Sequence, residues 1–284
     1  MASLKEIKGR ISSVRSTLKI TSAMKMVSST KLHKAQQAAQ HCALYEEELA
    51  KILSIAGGEA SVSSMMKAAQ MEKGEKVALV AFSSNSSLCG AFNANVIKKA
   101  KSVIESVGKE NVVLYAVGRK MSESLAKEGL VSQGDWSEMA QHPSYALASS
   151  LANELMEGWN GKRYSRVLLV WSHMVSTAHQ EPSEDQLLPY MAEIRSCENQ
   201  DDYIIEPGRK ELYAQLLPQV ISLKLYSLLL DSNAAEHAAR TVAMQTATDN
   251  GNEILSDLTL EYNKGRQAKI TAEILDLAGG SQQQ

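Results

Sequence analysis

The sequence predicts an α/β fold in which an α/β domain is inserted between two long terminal helices that pair as an antiparallel coiled coil. Three observations predict it. All five prolines lie from Pro143 to Pro218, so neither end carries the residue that breaks helix interiors. Both ends place seam residues at alternating steps of three and four, as in a coiled coil. The middle holds short β-branched runs separated by helix-patterned stretches, which indicates a Rossmann-like layer.

At the N-terminal end, Leu4, Ile7, Ile11, Val14, Leu18 and Thr21 form a heptad seam. The pattern then drifts through Met24, Val27, Leu32 and Ala35 to Ile52, and Gly57-Gly58 gives the first strong stop. A helix over 1–57 would be roughly 80 Å long, too long to stand without an equally long partner. The partner is 208–284. There Val220, Leu223, Ser227, Leu230, Ala234, His237, Thr241, Met244, Thr248, Gly251, Leu255, Leu258 and Tyr262 keep the same spacing. Small and polar members let this seam approach closely while limiting its stability.

Between them, 75–200 reads as the α/β domain. Val77–Phe82, Asn111–Val117 and Arg166–Trp171 are near-continuous apolar runs, suited to parallel strands buried on both faces. Helical patterns fall at about 93–107, 119–129 and 144–158. Residues 57–75 read as a link, and 180–210, with three prolines, as a loop-rich return.

Composition narrows the function. Thirty Lys and Arg against 32 Asp and Glu leave a formal charge of −2, which argues against a general nucleic-acid binder. Residues 1–40 depart from that balance, with eight cations against Glu6 alone. Such an end suits an acidic partner surface or an anionic membrane face. Cys42, Cys89 and Cys197 have no CxxC spacing and fit free thiols in a reducing compartment. No run approaches the ~20 apolar residues of a membrane span, so membrane association is expected only through a partner.

The α/β pattern invites a search for a cofactor site. No G-x-G-x-x-G or G-x-x-x-x-G-K-[ST] follows a strand, and Gly108-Lys109 lacks the upstream glycine of a phosphate cradle. His33 and His41, and His173 and His179, gain no Cys or carboxylate at metal-ligand spacing. Cys89 has no histidine placed by sequence to activate it. We therefore expect no catalytic, cofactor-binding or metal-ligating residues. The pattern alone leaves a tether, an adaptor, a lever or a shaft.

Three stretches are more specific. Ile7 to Lys34, IKGRISSVRSTLKITSAMKMVSSTKLHK, resembles the N-terminal motif of F-type ATP synthase γ subunits. Ser87-Leu88-Cys89-Gly90 through Asn93 resembles that family's glycine-rich segment after the first strand. Ala235-Glu-His-Ala-Ala-Arg240, Ala247-Thr-Asp-Asn-Gly251, Tyr262-Asn263, Arg266-Gln-Ala268, Ile270-Thr271 and Glu273-Ile274 follow its C-terminal motifs in order and spacing. The resemblance, of bacterial type, covers both terminal helices and touches the middle domain.

The resemblance implies a central rotor shaft, not catalytic by itself, that transmits torque from a membrane ring of c subunits to the catalytic β subunits. It would thereby couple proton or sodium flow to ATP synthesis. The implied partners are a hexameric ring of α and β subunits, the ε subunit and the c ring. The implied location is peripheral, on the cytoplasmic face of the bacterial inner membrane. Motif by motif, it implies β-subunit contacts at Met24, Lys25, Arg240, Gln267, Thr271 and Glu273, and ring contacts in a foot loop at Tyr203 and Glu206. Ser83 to Ser87 depart from the Asp-Arg pair of many relatives. The dithiol insert of plastid relatives has no counterpart. Two other readings stand beside the shaft: a non-rotating adaptor, and an enzyme using the α/β core.

Overall fold

A computed structural model describes residues 3–68, 76–190 and 205–280, with 57–68 and 276–280 as backbone alone. The chain divides into two compact units, Met1–Ser28 with Thr241–Gln284, and Ser29–Arg240. The long helices α1 (Leu4–Ala68) and α6 (Arg209–Gly280) contribute to both. Helix α1 continues through Gly57-Gly58. Two glycines cost about 1 kcal/mol each relative to alanine, and the good helix formers Ala, Met and Lys lie beyond them. Helix α6 also carries Pro218 in its interior, where Ser222 donates a hydrogen bond to the Pro218 carbonyl (2.8 Å).

In the first unit the helical segments run antiparallel, and the contacts fix the register. A Cβ on Gly265 would sit 3.0 Å from the end of Leu4, and one on Gly251 would sit 2.7 Å from the end of Leu18. The Thr21 and Thr248 hydroxyls hydrogen-bond at 2.9 Å. Each step forward on α1 is thus matched by an equal step back on α6. Continuing that register sets Ile7 opposite Tyr262, Ile11 opposite Leu258 and Val14 opposite Leu255, so the two seams expected from sequence face each other. Ile7 and Leu258 are buried.

The second unit is built on a four-stranded sheet of order β2-β1-β3-β4, with β1 Val77–Phe82, β2 Val112–Val117, β3 Arg166–Met174 and β4 Gln180–Leu188. Strand β1 is parallel to β2 and β3, and β4 is antiparallel to β3. The helices are α2 (Phe92–Val107), α3 (Arg119–Ala126), α4 (Ser137–Gln141) and α5 (Tyr145–Asn160). The period of two along each strand sorts the core. Ala78, Val80, Phe82, Tyr115, Val117, Val167, Leu169 and Trp171 face α4, α5 and the unit's portions of α1 and α6, including Leu49, Leu53, Ile221 and Leu225. Leu79, Ala81, Leu114, Ala116 and Val170 face α2 and α3. Gly118 permits a tight crossing: its φ is +105, and a Cβ there would lie 2.2 Å from the Ser83 carbonyl oxygen.

Strand β4 corrects the sequence expectation of a loop from residue 180. Its sequence, QEPSEDQLL, is polar until its last two residues because it pairs on one side only and stays half-exposed. Proline is tolerated at such an edge, so neither apolar alternation nor the absence of proline marked it.

Candidate interaction surfaces

In the first unit, what α1 and α6 leave outside their seam is unusual for a water-facing surface. Ile20 is 60%, Met26 71% and Val27 58% exposed, as are Ile254, Leu260, Ile270, Ile274 and Leu275 at 47–64%. Single exposed apolar residues are ordinary. Here they alternate with exposed Lys5, Lys8, Arg10, Arg15 and Lys19, which make no ion pair among the described residues. A surface that carries exposed apolar side chains beside cations without ion pairs is suited to being covered.

The sequence-predicted residues of this unit sit on that surface. Met24 and Lys25 are half-buried on α1. Gln267, Thr271 and Glu273 are exposed near the end of α6, and Glu273 pairs with Lys269 at 3.6 Å. A pair this exposed is worth little, so Glu273 stays available.

In the second unit Arg240 is buried, 8% exposed, and its guanidinium is anchored at three points. It reaches Glu236 at 2.7 Å one turn back on α6, Ser86 Oγ at 2.9 Å, and the Ser87 carbonyl. The last two belong to the loop between β1 and α2. That loop is also closed from within. Asn93 donates to Ser84 Oγ (2.8 Å) and Cys89 Sγ (3.1 Å), and accepts from the Ser84 amide (3.1 Å). Cys89 and Phe92 pack on Ala235 and Ala239 of α6. Leu88, at φ +67, is left 59% exposed at the tip.

Charge around Arg240 follows from this burial. Burial pushes the Glu236 carboxyl above its usual range, and Arg240 pulls it part of the way back. His237 is pushed down to about 4, by burial first and then by the nearby cations Lys31 and Arg240. It is therefore neutral at physiological pH.

Sequence reading named Arg240 but not its partners. The Glu236–Arg240 spacing of four is a helix-pair signal that could have found one of them. Nothing local marks Ser86 and Ser87, which are remote in sequence. Asp231 was also missed. Its Oδ2 accepts from Trp171 Nε1 (3.0 Å) and meets His173 Nδ1 (2.7 Å), and its Oδ1 accepts from the Met174 amide (3.1 Å), tying α6 to the end of β3. Of the foot residues, Glu206 is exposed just before α6, while Tyr203 lies outside the described residues. Among those residues no group of His, Cys, Asp and Glu has metal-site geometry, and no helix is long and apolar enough to cross a membrane.

Comparison with known proteins supplies the family. The family model described as ATP synthase matches residues 3–282. The ATP synthase gamma chain of Bacteroides fragilis is 48% identical, covering 99% of both chains. That of Bacteroides thetaiotaomicron is 46% identical over the full length of both, and that of Christiangramia forsetii 40% over 99% of both. Among solved structures, a chain of the Euglena gracilis mitochondrial ATP synthase OSCP/F1/c-ring assembly matches at TM-score 0.64 and 17% identity, over 97% of this chain and 92% of its own. A chain of the rotor of the same enzyme matches at 0.62 and 16%, over 94% and 98%. The structural matches speak to fold, and the sequence matches go further. With near-complete coverage at 40–48% identity, this chain belongs to the ATP synthase gamma chain family.

Proposed function

We propose that this chain is the central rotor shaft of an F-type ATP synthase. It transmits torque between a membrane-embedded c ring and the catalytic β subunits, and so couples proton or sodium flow to ATP synthesis. The observation that carries the reading is the full-length match to gamma chains, joined to a first unit whose antiparallel helices leave apolar and basic residues uncovered. A shaft with no three-fold symmetry, set inside a ring of three α and three β subunits, meets each β differently. Turning it changes which β is favoured in which conformation, and energy passes as differential contact with bistable partners.

The proposed residue roles rest on the motif resemblance, and the surface placement supports them. Met24 and Lys25 on α1, and Gln267, Thr271 and Glu273 near the end of α6, are proposed β contacts. Arg240 is proposed as a further contact presented from the second unit, its guanidinium anchored by Glu236 and the Ser86–Ser87 loop. Surface cations such as the exposed Lys19 and the half-buried Lys25, facing an acidic partner loop, contribute about 0–1 kcal/mol each, enough to bias rotor position without locking it. The apolar side chains Ile270, Ile274 and Leu275 offer a sleeve no directional bond that would resist turning. Glu206 and Tyr203 are proposed to meet the c ring, and the ε subunit to bind the α/β domain. The complex would lie at the cytoplasmic face of the bacterial inner membrane, with this chain regulating and coupling catalysis performed by its partners.

Native mass spectrometry of the chain co-expressed with α and β subunits from the same source tests this. One copy per six-membered ring, with ATP hydrolysis only in that complex, is expected. Several copies per ring, or no stable complex, would contradict it and favour a non-rotating adaptor.

A further inference from the structure

At the end of the sheet where β1 and β3 begin, a cavity of about 910 Å³ opens between the last turn of α5 and the start of β2. Its lining includes Lys76, Lys162 and Arg163, the aromatic residues Trp159 and Tyr164, and Gln133. Among the described residues none of the lining is acidic, in a chain whose formal charge is −2. None of the three cations forms an ion pair among the described residues.

The walls are fixed rather than loose. The Trp159 indole N–H donates to the Ser165 carbonyl (2.9 Å), and the buried Tyr164 hydroxyl donates to the Leu155 carbonyl (3.0 Å). The α5 helix closes with the Lys162 amide on the Trp159 carbonyl (3.0 Å) and the Arg163 amide on the Gly158 carbonyl (2.9 Å). Such an ending needs one residue in the left-handed region, normally glycine. Glycine is present at Gly161, yet the left-handed position, φ +55, is held by Lys162. The helix ending thus fixes Lys162 at the rim of the cavity beside two other cations. Arg166, next after Ser165, adds positive charge to the same end of the sheet.

We propose that this cavity binds a phosphate ester. An arginine fork and two lysine ammonium groups match an anion with several oxygens. The volume exceeds what a bare phosphate needs, and Trp159, Tyr164 and Val113 give the attached organic group an apolar wall. Two sources share this chemistry: a soluble polyphosphate or nucleotide, and an anionic phospholipid headgroup. The lipid source alone rests on the shaft reading, which turns the Glu206 end of the second unit toward the membrane ring.

The test is calorimetric titration of the full chain at low salt with inorganic pyrophosphate, and co-sedimentation with phosphatidylcholine vesicles with and without phosphatidylglycerol. Arg163→Gln and Lys162→Gly are run beside the wild type. Lys162→Gly removes a cation while relaxing the backbone, so an unchanged or raised melting temperature excludes misfolding as the cause of any loss. Saturable pyrophosphate binding, weakened about tenfold or more by either substitution, establishes the site with a soluble ligand. Binding only to phosphatidylglycerol vesicles, weakened by the same substitutions, establishes it with a lipid. No saturable binding of either probe, or equal binding by wild type and variants, overturns the proposal whatever the fate of the shaft reading.

Discussion

Arg240 is anchored within its own chain at the position from which its proposed partner contact would be made. Three acceptors hold its guanidinium, one on its own helix and two on a loop about 150 residues away in sequence. Its nearest carboxylate, Glu236, is itself buried. Arg240→Ala would leave that carboxylate without its partner, at a cost of about 3–5 kcal/mol. The pH dependence sharpens the prediction. A buried acid with a raised pKa keeps its proton in the folded chain at pH values where the unfolded chain has lost it, so its cost to stability grows as pH rises above the ordinary glutamate value. Removing Arg240 removes the group that pulls this pKa back down. Thermal melts should show the Arg240→Ala defect smallest near pH 5 and larger at pH 8. A pH-independent defect would mean that packing, and not the ion pair, is what Arg240 supplies. The residue was legible as a motif position, since it closes Ala-Glu-His-Ala-Ala-Arg. Its anchoring was not, because hydrogen bonds to Ser86 and Ser87 depend on a loop position that only the packed sheet defines.

The elements differ in how far their patterns could be read. Strands β1, β2 and β3 were legible because burial on both faces demands unbroken apolar runs, and α2, α3 and α5 lie within a few residues of the helical patterns between them. Strand β4 was not, because an edge strand with one partner needs neither alternation nor freedom from proline. Helix α4 is only five residues long, too short to show a period. The coiled-coil seams were legible in spacing, but their register comes from size matching that spacing does not encode: Gly265 accepts Leu4 and Gly251 accepts Leu18. Gly251→Val should therefore destabilise the paired helices by about 1–3 kcal/mol through overpacking. Gly251→Ala should come out near neutral, because the helix-propensity gain of about 1 kcal/mol offsets a small shift of the Leu18 tip. Circular dichroism melts of the two variants decide it. Equal effects would mean that Leu18 does not pack on Gly251.

For the molecule as a whole, residue patterns alone indicated an α/β domain between two long helices and left its use open among shaft, lever, tether and adaptor. The narrowing to one family rested on spaced motifs at both ends, now supported by relatives 40–48% identical across the chain. The proposed contacts at Met24, Lys25, Gln267, Thr271 and Glu273 were legible only through those motifs. A surface residue that binds a partner leaves no mark of its own beyond uncompensated charge or apolar exposure. What separates a shaft from an adaptor is motion relative to the α and β ring, and single-molecule observation reads that directly. A cysteine placed at Lys127, exposed just past the end of α3, would carry a bead on the assembled complex with the ring fixed to a surface. On adding ATP, the account predicts continuous turning in one direction, with three equally spaced stopping positions per revolution. A bead that stays at one angle while the complex hydrolyses ATP would contradict it.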